Sequence, residues 1–262
     1  MNVLALLALI LLGLPEPAPE PAEIPAGLRC LVAAYPETVC GASATELRLC
    51  DGTVLPWDDG RDLPVGDEGL DDADLRDQMA QPYPVGRERG VPPARGADPG
   101  RARHGPLFTA MYGADRAAVR AKTRVVRWLP KTADVALRFA TVNGAATALE
   151  AVSSELEGLP PEIRRHAEKP AGTFVWRNIR GTNRPSVHSF AIAIDLDVSG
   201  SDYWRWARPG ADGLLRWRNR FPWEIVEVFE RHGFIWGGKW YHFDTMHFEY
   251  RPELLQAGCV DR

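Results

Sequence analysis

Apolar and polar positions divide the chain into stretches of different character. Residues 3–14 (VLALLALILLGL) are almost wholly apolar, and Pro15 with the following PEPAPEPA tract ends any helix. The tract continues to Gly27 and reads as an extended linker. Over 28–57, short β-prone runs such as TELRL alternate with turn residues, among them Asp51-Gly52, the pattern of a small hairpin module. Residues 58–105 are rich in Asp, Gly, Pro and Arg with few apolar positions, so irregular surface structure rather than core is expected there. Order returns with LFTAMYG and with 125–129.

From 134 onward the pattern is that of a compact α+β domain. Leu149, Val152, Leu156 and Leu159 recur at helical spacing and predict an amphipathic helix over 146–158. A second helix begins with Pro222 at its first position, carries Ile225, Val228 and Phe229 on its apolar face, and stops at Gly233. Strand-like runs cover 173–179, 190–198 and 247–250. In the middle run, alternation sets Phe190, Ile192, Ile194, Leu196 and Val198 on one face, against Ala191, Ala193, Asp195 and Asp197 on the other. No internal repeat is apparent.

The opening apolar run is too short to span a bilayer, which takes roughly 20 residues, and has the length of a signal-peptide core. No Lys or Arg precedes it, and a short buried helix or an uncleaved anchor is the alternative. An exported chain, extracellular or attached to the cell envelope, gives the four cysteines a purpose. Cys30, Cys40, Cys50 and Cys259 allow two disulfides in three connectivities. No C-x-x-C pair is present, which argues against a thiolate zinc site. The net charge of -4 leaves no excess of cations for a nucleic-acid backbone. The expected organisation is a signal peptide and the start of the linker in 1–22, a disulfide-containing and irregular region in 28–133, and the chemistry-bearing domain in 134–256.

Two of the six histidines stand beside carboxylates in strand-like settings. His188 precedes Asp195 by an odd number of residues, so a straight strand would put them on opposite faces. His188 must therefore lie on a turn, or the strand must bend. Near the carboxyl end, His247 and Glu249 share a face, and Asp244 stands three residues before His247, a spacing that a turn can close. Two His and one Asp make a three-ligand set that leaves a zinc position open for water, with a further carboxyl to take its proton. The spacing H-x6-D is less specific than H-E-x-x-H, so hydrogen-bonded structural roles stay open at this point. Glu249 reads either as a carboxylate that orients a ligand imidazole or as a surface group.

At these residues the sequence resembles the D-alanyl-D-alanine carboxypeptidase family of zinc peptidases, which includes VanX- and VanY-type enzymes and L-alanyl-D-glutamate endopeptidases. The family signature S-x-H-x-x-G-x-A-x-D is matched by Ser186, His188, Ala193 and Asp195, and its carboxy-terminal acidic residue and His by Asp244 and His247. The segments GTFVWRNIRGT and GFIWGGKWYHFDTMHFEYRPELL extend the likeness over roughly 134–255. The resemblance implies an α+β fold of the carboxypeptidase/hedgehog type, with a central antiparallel sheet flanked by helices. It implies one zinc ion per chain held by His188, Asp195 and His247, and Asp244 as general base. Arg177, or else Arg180, would polarise the scissile carbonyl, with Ser186, Arg180 and Trp240 contacting substrate. Trp236 is expected to line the groove beside Trp240, and His242 to stand in its wall. The implied partner is peptidoglycan or its peptide fragments, and the implied reaction is amide hydrolysis in stem peptides. The alternative is a catalytically weak zinc module that binds such peptides. One departure stands out: the family glycine is Ala191 here, whose Cβ is expected to narrow the floor of the site or to shift the strand.

Overall fold

The computed structural model describes residues 23–61, 70 and 72–259; the signal-peptide reading falls on 1–22, outside the described residues. Helix α1 (Ala26–Ala34) leads into a three-stranded antiparallel sheet of β1 (Val39–Ala42), β2 (Glu46–Leu49) and β3 (Val54–Pro56). A Cys40–Cys50 disulfide clamps the β1–β2 hairpin, one of the pairings the sequence left open. The other disulfide joins Cys30 of α1 to Cys259, so this part is tied to the far end of the chain. One hydrophobic core runs from Leu28 to Cys259 through every sheet.

A short helix α2 (Leu75–Met79) follows, opened by a reciprocal capping box between Asp74 and Asp77. Helices α3 (Gly105–Tyr112) and α4 (Arg116–Ala121) precede the hairpin of β4 (Thr123–Trp128) and β5 (Val135–Ala140). Next come α5 (Ala145–Leu156), α6 (Pro161–Arg164), β6 (Ala193–Asp195), α7 (Trp223–Arg231), β7 (Phe234–Trp236) and β8 (His247–Tyr250). The last three strands form an antiparallel sheet in the order β6-β8-β7, so β8 is central. The Ala140 amide donates to the Ala191 carbonyl at 2.9 Å, which joins the β5 end to the turn before β6. The fold is thus α+β, with small antiparallel sheets and helices packed on them.

Helix α5 buries Leu149, Val152 and Leu156 against β4 and β5, close to the predicted limits. Helix α7 takes Pro222 as its N-cap, one position earlier in role than predicted, and presents Ile225, Val228 and Phe229 to the core. Phe229 stacks on Phe248 of β8, with ring centroids 3.9 Å apart, which seats α7 on the strand that carries His247. Gly233 ends the helix at φ +87, where a Cβ would lie 2.9 Å from the Tyr250 ring. Among the described residues no helix is long and apolar enough to cross a membrane.

Three expectations need correction. Residues 173–179 form no strand; they run extended beside the turn at 186–190, with the Val175 amide donating to the His188 carbonyl and Ser186 to that of Arg177. The strand predicted over 190–198 is only three residues long, because Phe190 ends a 3-10 turn, Ala191 is left-handed and Val198 is exposed. The described residues of 58–105 are irregular apart from α2 and the first residue of α3, yet Leu75, Gln78, Met79, Asp98 and Arg103 among them are buried. Their polar groups leave the surface because partners from the carboxy-terminal part meet them, as when Asp98 accepts from the His242 amide at 3.0 Å.

Candidate metal centre

The site begins with a one-turn 3-10 helix, Val187–Phe190, capped by Ser186, whose Oγ accepts the His188 amide at 3.4 Å. This turn resolves the parity problem between His188 and Asp195. His188 is buried, and its Nδ1 lies 2.8 Å from the Thr173 carbonyl. A carbonyl only accepts, so Nδ1 carries the proton and Nε2 turns inward, 3.2 Å from Asp195 Oδ2. The chain then passes Ala191 at φ 56 and ψ 37, the left-handed conformation that favours glycine. Ala191 is fully buried and does not line the cleft described below. Its substitution for the family glycine therefore loads the backbone and leaves the floor of the site untouched.

Asp195 on β6 and His247 on β8 are direct cross-strand partners, which sets Asp195 Oδ1 2.8 Å from His247 Nδ1. The rings of His188 and His247 stand 5.1 Å apart. One ligand atom from each of His188, Asp195 and His247 lies within 4.8 Å of the others. That closeness shapes their titration. Burial raises Asp195, but His188 and then His247 outweigh it and hold the carboxyl well below the usual range. Burial lowers His247, but hydrogen bonds to Asp195 and Glu249 carry it up to about 10. On its other side His247 Nε2 is 2.9 Å from Oε1 of Glu249, which is fully buried; of the two readings of Glu249, the surface one is excluded.

Asp244 reaches the same place from the loop before β8. Its amide donates to the Gly237 carbonyl at 3.0 Å, and its own carbonyl accepts the His247 amide at 3.2 Å, closing the expected turn. Its Oδ1 is buried without a hydrogen-bond partner among the described residues. Burial raises its carboxyl to about 6, against the pull of the charge on His247.

These groups open into a cleft of about 160 Å³. Arg177, Arg180, Ser186 and Trp240 all line it together with His188, Asp195, Asp244 and His247. His242 stands in the wall, its Nδ1 2.7 Å from Asp98. Trp236 does not line it: the ring is fully buried, donating to the Thr245 carbonyl at 2.9 Å and stacked on Phe248. Arg101, Arg103, Arg184, Tyr203, Trp204 and Arg205 also line the cleft and were not singled out in the sequence. Arg101 and Arg103 come from the polar stretch before α3, where nothing in the local pattern separates a buried arginine from a solvated one. A larger cavity of about 710 Å³, between 79–89 and 254–259, holds one arginine and no carboxylate in its lining.

Residues 180–250 match a family model described as D-alanyl-D-alanine carboxypeptidase, which supports the resemblance to that zinc metallopeptidase family. The matched stretch holds His188, His247, Asp195 and Asp244, but begins after Arg177. No curated protein and no solved structure matches the chain.

Proposed function

Proceeding from the family match over 180–250, we propose that the protein is an exported zinc peptidase that hydrolyses an amide bond in peptidoglycan stem peptides. His188, Asp195 and His247 are its metal ligands. The observation that carries this reading is the convergence of three donors beside a buried carboxyl oxygen that has no hydrogen-bond partner among the described residues. The donor set fits zinc: two imidazoles and one carboxylate, each oriented by its other atoms, are donors of the kind zinc takes and would hold it where they converge on the cleft. When bound there, zinc lowers the pKa of water toward ~7 and polarises a substrate carbonyl.

The protein's own groups supply the rest. Asp244, raised to about 6 by burial, accepts the proton of the attacking water and returns it to the leaving amine. Arg177, exposed on the cleft wall, stabilises charge on the scissile oxygen, while Arg180, Ser186 and Trp240 position the peptide. The two disulfides fit a protein that works outside the reducing cytosol.

The test is to incubate zinc-quantified protein with peptidoglycan fragments and identify products by mass spectrometry, beside Asp244→Asn. Wild type should cleave, and the variant should retain zinc while losing about 10²–10⁴-fold in rate. Product masses name the bond as D-Ala-D-Ala or L-Ala-D-Glu. Zinc binding without cleavage of any fragment would replace this reading with that of a peptide-binding module.

A further inference from the structure

The irregular stretch before α3 sends Arg103 against Glu249, the buried carboxylate behind His247. Glu249 is held from two sides: its Oε1 faces His247 Nε2 at 2.9 Å, and its other contacts are with arginines. Arg103 donates from Nε to Oε2 at 3.2 Å and from Nη2 to Oε1, a two-point grip on one carboxylate. Arg251 approaches Oε2 at 3.5 Å, and its Nε donates to Glu253 at 2.6 Å. Glu253 in turn accepts from Tyr35 Oη at 2.5 Å, at the end of α1. Two buried cations and two buried anions alternate along this chain, so its charges are matched.

A two-point grip fixes more than charge. It sets the plane of the Glu249 carboxylate and therefore the direction from which it accepts the Nε2 proton of His247. With Nε2 committed as donor to Glu249, Nδ1, which donates to Asp195 at 2.8 Å, is the nitrogen left to give up its proton and turn a lone pair to a metal. A lysine at 103 would keep the charge and lose the plane.

We propose that Arg103 is a positioning residue for the metal ligand His247, acting through Glu249, so that the stretch before α3, outside the 180–250 match, completes the metal centre. The proposal rests on the zinc reading above. The test uses the full chain with Arg103→Lys, Arg103→Met and Glu249→Gln. Zinc affinity is measured by chelator competition, the visible spectrum is taken with cobalt, and the melting temperature of the zinc-free proteins is recorded. Arg103→Lys should weaken zinc binding about 10–100-fold and alter the cobalt spectrum, as loss of an outer-shell partner does. Adding Arg103→Met to Glu249→Gln should weaken it by less than about twofold further, because the two act in one chain. Wild-type affinity and spectrum in folded Arg103→Lys would overturn the proposal, as would full additivity of the double variant. If wild type binds no zinc, the metal reading fails by itself. The imidazole N–H proton of His247 in the zinc-free protein then decides: slow solvent exchange in wild type and fast exchange in Arg103→Lys support the positioning role, and equal exchange sinks it.

Discussion

Ala191→Gly isolates the backbone load beneath the cluster of His188, Asp195 and His247. Ala191 is fully buried, at φ 56 and ψ 37, between the turn that carries His188 and the strand that carries Asp195. A left-handed conformation costs an L-residue roughly 1–2 kcal/mol. Glycine removes that strain but gives up a buried methyl, about 0.8 kcal/mol, and adds about 0.5–1 kcal/mol of unfolded-chain entropy. The terms nearly cancel, so Ala191→Gly should change stability by less than about 0.5 kcal/mol. Ala146 supplies the comparison. It is equally buried in α5, with ordinary helical geometry, so Ala146→Gly carries the same two losses and no relief, about 1.5 kcal/mol. The assay is urea unfolding of zinc-free protein with disulfides intact, followed by tryptophan fluorescence and compared at a common slope. An Ala191→Gly protein as destabilised as Ala146→Gly would refute the reasoning, since the left-handed strain would then be absent.

Zinc binding should respond to pH with a definite sign. In the metal-free protein His247 is held protonated up to about 10, and a metal ion must displace that proton. Between pH 6 and 8 the apparent affinity should therefore rise about tenfold per pH unit, and a flat profile would remove His247 from the ligand set. The two disulfides close loops of very different length, 229 and 10 residues. On chain entropy alone, Cys30→Ser with Cys259→Ser should cost about 5 kcal/mol and Cys40→Ser with Cys50→Ser about 3. Calorimetry that ranks them the other way would show that loop closure is not the governing term.

Local patterns carried much of this protein's description. The helices at 145–156 and 223–231 follow from apolar spacing and from their terminal proline and glycine, because helix geometry is set by neighbours three and four residues apart. Strand β8 was legible from its alternation and the turn from Asp244 to His247 from its three-residue spacing, and the paired motifs pointed to the cluster. The odd spacing of His188 and Asp195 required a turn, and a 3-10 turn is there. Tertiary structure alone decided the rest. The pairing of Asp195 with His247 depends on strand register across 52 residues of sequence, and that of Arg103 with Glu249 on a contact across 146. Periodicity cannot reveal a buried arginine in a polar stretch, because what keeps it from solvent is a carboxylate supplied from elsewhere in the chain. Nor could composition tell that Ala191 burdens the backbone and spares the cleft; that rests on one dihedral angle, set by the turn and strand it joins.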